Sequence, residues 1–267
     1  MKSVLEKASA EHVQSEPFPH IVINGALDED QYLEMERKYP SPEILIQDNP
    51  RYPGNDPANN KRFGLMGIDI LHDSRLDSIW SDFVRSHTDR RFFQQVLDVF
   101  QHHFLDLSPS LNDWFGPLGQ VEPRLRYANT FDDAPILLDA TIVINSAVVE
   151  EHTTVRRPHV DRLCKLYSGL FYLRDSADES SGGDLLLYRF KSGMPGGFYE
   201  NREIDEKHIE CVKRIPYQRN TLVMFPHSIN ALHGVSVRSL TSFPRRLLTF
   251  SCDTYRDLYD ISPYQVR

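Results

Sequence analysis

The chain has 267 residues, with 30 Lys and Arg against 38 Asp and Glu, a net charge of −8 and a pI near 5.8. Such a balance argues against a general nucleic-acid binder, which needs a basic stripe to neutralise phosphate, without excluding a local basic patch. Hydrophobic residues make up 40% and aromatics 11%, enough for a packed core. No apolar run approaches the ~18 residues that span a bilayer, so no membrane partner is expected.

The N-terminus, MKSVLEKASAEHVQSEPF, carries charges through its middle and has no apolar stretch of a secretory signal. The three cysteines, Cys164, Cys211 and Cys252, suit a reducing cytoplasmic setting better than a disulfide scaffold. From Pro17 the pattern tightens. FPHIVI reads as a short strand, and ALDEDQYLEMERKYP as a helix with Asp28 placed to cap it. Residues 47–64, rich in Pro, Asn and Gly, read as a loop. LDSIWSDFVRS and RRFFQQVLDVFQHHFL then place Trp80, Phe83, Phe92, Phe93 and Phe100 at helical spacing. After about residue 120 the character changes. RLRYANTF, ATIVINSAVV, KLYSGLFYL, DLLLYRF, TLVMF and RLLTFSC are short runs set between turn signals. Such a series suggests a sandwich, barrel or jelly roll. We expect one domain, mainly β with helical support (α+β): residues 1–119 as the N-terminal support, 120–255 as the β core and 256–267 as a tail.

Three His-x-acid patterns invite a metal search. His87-Thr88-Asp89 falls in a helical segment, where i and i+2 do not share a face, and reads as a solvated helix end. His208-Ile209-Glu210 reads as polar surface. His159-Val160-Asp161 lies where strands begin, and on a strand both side chains point to one face. His233 follows 72 residues after Asp161, just past an apolar strand, and Arg245 comes twelve residues later. Two histidines and a carboxylate on one face of an ion leave open positions, which suits non-haem Fe(II) binding a chelating cosubstrate and O2. An arginine nearby can hold a carboxylate bidentately.

These features, in this order, resemble the Fe(II)- and 2-oxoglutarate-dependent oxygenases, especially the prolyl-hydroxylase-like branch. The match runs through HVD at 159–161, LFYL at 170–173, SGGDL at 181–185, NTLVMF at 220–225, HGV at 233–235 and RRLLTFS at 245–251. The resemblance implies a double-stranded β-helix (jelly-roll) core. It also implies His159, Asp161 and His233 as iron ligands, Arg245 as partner of the distal 2-oxoglutarate carboxylate, and Tyr172 as a residue sharing that role. The twelve-residue spacing leaves Arg246 as an alternative to Arg245, although strand alternation sets Arg245 with Leu247, Thr249 and Ser251. The implied reaction is a dioxygenase hydroxylation coupled to decarboxylation of 2-oxoglutarate to succinate. Related halogenases have a small residue at the position Asp161 fills, so hydroxylation is favoured. Desaturation, epimerisation and ring closure use the same ligands.

For the substrate, Arg156, Arg157, Arg162, Arg174 and Arg238 flank the site in sequence and suggest a locally positive mouth. Arg157 shares alternation parity with His159 and Asp161 and is the residue expected to face the substrate. Residues 191–210 read as a lid. The expectation is a small polar or anionic molecule and a biosynthetic tailoring step. The alternatives are a peptidyl hydroxylase and, outside enzymes, a non-catalytic cupin-like metal- or ligand-binding protein.

Overall fold

The computed structural model describes residues 1–47, 49, 59–127, 131 and 134–266. The first strand is β1 (Ile21–Asn24), followed by α1 (Glu29–Arg37), β2 (Arg62–Leu65), α2 (Gly67–His72), α3 (Ser78–His87), α4 (Arg90–Leu107) and α5 (Leu111–Phe115). The strand-rich part contains β3 (Arg124–Leu125), β4 (Ile136–Asn145), β5 (Lys165–Tyr172), β6 (Leu185–Phe190), β7 (Ile209–Ile215), β8 (Thr221–Pro226), β9 (His233–Val235) and β10 (Arg245–Thr254).

Two sheets form. The larger runs β1-β8-β5-β10-β4-β2, with β3 joined in parallel to β4, and the smaller runs β7-β6-β9. Alternation along β10 shows how the larger sheet divides its faces. Leu248, Phe250 and Cys252 belong to the main core beneath the helices, whereas Leu247 belongs to the core between the sheets. Trp80, Phe83, Phe92, Phe93 and Phe100, all buried, form the helical side of the main core. Phe83 and Phe92 meet Phe250 at ring-centroid distances of 5.6 and 5.5 Å. Each such ring contributes roughly 1.5–3 kcal/mol by leaving water. A third cluster, including Val160, Phe198, Ile204 and Leu232, packs around the loops beyond the smaller sheet.

Several expectations change here. Asp28 precedes α1 but its side chain makes no cap bond; it pairs with Lys2 at 2.6 Å instead. Most of the anticipated 47–64 loop lies outside the described residues, but its last part is strand β2, which pairs with β4. Only Arg124–Leu125 of RLRYANTF is a strand, and residues 128–130 of that run lie outside the described residues. His87 is buried rather than solvated, at 1% exposure, and Asp89 caps α4 by accepting from Phe92 N at 2.8 Å. Ile209 and Glu210 belong to strand β7, an element the polar sequence concealed.

Candidate metal centre

His159 and His233 face each other across a one-residue antiparallel bridge. His159 N donates to His233 O at 2.9 Å and His233 N to His159 O at 3.0 Å. Directly opposed residues project to one face, so the two rings lie together with centroids 4.3 Å apart. Each Nδ1 meets a backbone carbonyl two residues earlier, Arg157 O at 2.8 Å and Ala231 O at 3.0 Å. A carbonyl only accepts, so Nδ1 carries a proton in both rings and Nε2 is the atom left to ligate. Both Nε2 atoms point toward Asp161 Oδ1, at 3.5 and 3.9 Å. Ligand bonds of roughly 2.0–2.2 Å let one ion span such gaps. The structure thus brings His159, Asp161 and His233 into one group able to hold a metal ion. The anticipated strand through 159–161 is shorter than expected: His159 makes a single bridge position and Asp161 lies in the segment leading into β5. Local alternation survives, with Val160 turned into the third core.

The other carboxylate oxygen of Asp161 is held from three sides. Lys165 Nζ and Ser168 Oγ donate to Oδ2 at 2.8 Å each, and His227 Nε2 lies 3.4 Å away. His227 in turn meets Ser168 Oγ at 2.8 Å. Burial pushes the Asp161 carboxyl up, but Lys165 and the nearby histidines outweigh it and hold the group well below the carboxylate range. Burial, reinforced by His159, pushes His233 down to about 3. The centre therefore presents a neutral imidazole at His233 and an anion at Asp161, the protonation states that ligation requires. Sequence reasoning missed Lys165, Ser168 and His227; His227 sits directly after the apolar run of β8, the one signal available.

A cavity of about 830 Å³ opens beside this group, between the sheets. Six basic side chains line it (Arg62, Arg126, Arg156, Arg162, Arg202 and Lys165), against the carboxylates of Asp139 and Asp161. Arg157 is not among its walls. It is exposed and pairs with Glu206 at 3.4 Å, because its segment is not a strand and the parity argument fails there. Arg174 and Arg238 are committed elsewhere, to the buried Asp178 at 3.3 and 2.8 Å. Arg156 and Arg162 do line the cavity, and so does Arg202 from the excursion expected as a lid.

Arg245 is 1% exposed, on the face of β10 shared with Leu247, Thr249 and Ser251. Arg246 takes the opposite face and pairs with Asp175 at 3.1 Å. Arg245 Nε donates to Gly183 O at 2.9 Å. That approach depends on Gly182 and Gly183, both at positive φ; a Cβ on Gly182 would come within 1.9 Å of Val237 O. The guanidinium lies over the rings of Tyr172 and Tyr217, at 5.1 and 4.8 Å. Burial raises the Tyr172 hydroxyl, and the Arg245 charge offsets part of that rise.

Three buried groups here lack hydrogen-bond partners: Arg245 Nη2, the Tyr172 hydroxyl and both amide atoms of Asn145. Asn145 pairs directly with Arg245 across β4 and β10, so the two side chains share a face. A native interior rarely leaves such groups unsatisfied. A carboxylate is the group that a guanidinium, a phenol and an amide NH2 satisfy together, so the residues present fit a 2-oxoglutarate tail. Asn145 had no mark in the sequence beyond its place at the end of an apolar run.

No protein-family model and no curated protein matches the sequence. Among solved structures, the chain is similar to the epimerase SnoN in complex with Fe3+, alpha-ketoglutarate and nogalamycin RO. The TM-score is 0.50 at 12% identity, over 94% of this chain and 83% of that one. It is also similar to a Pseudomonas putida prolyl-4-hydroxylase (TM-score 0.45, 14% identity, 88% of this chain and 92% of that one). A Phytophthora capsici prolyl 4-hydroxylase matches with TM-score 0.46 and 13% identity over 94% of this chain, which spans 62% of that protein. The chain shares the fold of the SnoN structure, and the His–Asp–His group lies within it. Among the described residues, no helix is long and apolar enough to cross a membrane.

Proposed function

We propose that the protein is an Fe(II)- and 2-oxoglutarate-dependent dioxygenase, acting from a single domain to hydroxylate an unactivated C–H of a small polar or anionic molecule. One observation carries the reading: the opposed His159–His233 pair aims two Nε2 lone pairs at one oxygen of Asp161, with the other oxygen already held. On this reading the two sheets are the walls of a double-stranded β-helix, and a tailoring step in the cytoplasm is the setting.

His159, Asp161 and His233 would hold the iron, which supplies O2 activation when bound. Backbone carbonyls orient both rings through Nδ1, and Lys165, Ser168 and His227 hold Asp161 by Oδ2, which would leave Oδ1 for the ion. Arg245, Tyr172 and Asn145 would bind the distal carboxylate of 2-oxoglutarate, and Gly183 aligns the guanidinium from behind. Leu170, Leu185, Val235 and Val143 line the cavity and exclude water around the reacting centre.

The test is succinate formation. Protein supplied with Fe(II), 2-oxoglutarate and O2 should convert 2-oxoglutarate to succinate, and omission of Fe(II) should stop it. Metal-loaded protein that leaves 2-oxoglutarate intact, with or without candidate substrates, would overturn the proposal.

A further inference from the structure

The excursion between β6 and β7 is fastened to the metal centre. Ile204 N donates to Pro158 O at 3.0 Å, Val160 N donates to Arg202 O at 3.1 Å, and Glu203 bridges His159 on the side away from His233. The segment therefore works as a second, short partner to the strand-like stretch that presents His159. At its tip, Tyr199 N donates to Glu203 O at 2.8 Å and Arg202 N to Tyr199 O at 3.0 Å, closing a tight turn.

Arg202 occupies the left-handed region, with φ of 68°. Glycine is the default residue for such a turn, because a Cβ strains the backbone there. The chain places a long cationic residue instead, and that residue lines the cavity beside the metal group. Its Nε is buried without a hydrogen-bond partner, and no salt bridge reaches it among the described residues. Two carboxylates that follow it in the chain are committed elsewhere: Glu203 to Arg156 at 3.6 Å and Asp205 to Lys207 at 2.8 Å. Of the other cavity cations, Lys165 serves Asp161, while Arg126 and Arg162 converge on Asp253. Strained backbone clusters at ligand-binding positions, and a buried donor without a partner calls for one.

We propose that Arg202 is the anchor for a carboxylate or phosphate group of the substrate, so that the enzyme acts on anionic small molecules. The inference rests on the oxygenase reading, because it takes the cavity beside His159 as the substrate space. It assigns two arginines to two anions: Arg245 to the cosubstrate and Arg202 to the substrate.

Arg202→Gly is the sharpest variant. It removes the guanidinium and gives the turn the residue its φ favours, so the variant should fold, with an unfolding temperature no lower than that of the parent. Propionate, methyl phosphate and neutral propionamide serve as probes, each titrated by calorimetry into protein loaded with Zn(II) and 2-oxoglutarate. At least one anion should bind about tenfold or more tighter than propionamide, as a charge-assisted contact provides. Arg202→Gly should abolish that preference, and whichever anion binds tighter identifies the group. No anion binding, equal binding of propionamide, or a preference that survives in Arg202→Gly overturns the assignment. The loading step separates the two readings. Failure of the parent protein to take up Zn(II) and 2-oxoglutarate counts against the oxygenase reading itself, whereas uptake without anion preference counts against Arg202 alone.

Discussion

Two stretches of the chain carry the same His-x-Asp pattern and meet opposite fates. At 87–89 the histidine ends α3 and the aspartate begins α4. His87 stacks on Phe83 at 4.0 Å, donates from Nδ1 to Phe83 O at 2.8 Å and accepts at Nε2 from Val4 N at 3.1 Å. Both ring nitrogens are occupied, and Asp89 turns away to cap a helix. At 159–161 the backbone is extended, each imidazole uses only Nδ1, and Asp161 leaves one oxygen facing the two free nitrogens. A His-x-Asp pattern is able to hold a metal ion where the backbone sets both side chains on one face and the hydrogen-bond network leaves the ligating atoms unused.

The largest effect should come from removing a ligand at the second stretch. Asp161→Ala should lower succinate formation at least about 100-fold, since loss of an outer partner alone costs 10–100-fold. His87→Gln should leave metal stoichiometry at one per chain. A His87→Gln protein that no longer binds metal would break the contrast.

The first stretch should show itself in acid stability instead. Burial lowers His87 to about 4, against 6.5 unfolded. The unfolded chain therefore takes up this proton first as the pH falls. The stability that neutral His87 contributes is intact above about 6.5 and lost as the pH falls through about 4. Between pH 7 and 4.5 the loss amounts to roughly 2–3 kcal/mol. Urea unfolding at the two pH values should show that much less acid sensitivity in His87→Gln than in the parent; an equal sensitivity would place His87 in water.

A smaller effect tests how Asp161 is aimed. Ser168→Ala removes the hydroxyl that links Asp161 Oδ2 to His227. Metal affinity should fall about 10–100-fold by calorimetry. The mildest is Asp89→Ala, which should cost about 1 kcal/mol of stability through the lost cap and leave metal affinity unchanged.

How far the sequence revealed this follows from what each feature depends on. The runs at 165–173, 185–190, 221–225 and 246–252 carry enough apolar and β-branched residues to be read as strands, and they are strands β5, β6, β8 and β10. β7 was hidden because only Ile209 and Ile215 are buried along it, and β9 because it has three residues. The convergence of His159, Asp161 and His233, and the inward face of Arg245, were readable from order and spacing. Lys165, Ser168, His227 and Asn145 were not, since their roles depend on which strands become neighbours. His87 was misjudged for want of helical arithmetic: it falls on the stripe of Trp80, Phe83 and Val84, and that stripe is buried. Arg157 was misjudged for the opposite reason, with strand alternation applied where there is no strand.

The most direct measurement is an anaerobic calorimetric titration of Fe(II) at pH 7 into the parent protein and into His233→Ala. The opposed histidine pair requires one equivalent bound by the parent and at least about a 100-fold loss of affinity in the variant. No binding by the parent, or equal binding by both, would contradict the assignment of His159, Asp161 and His233 as one metal centre.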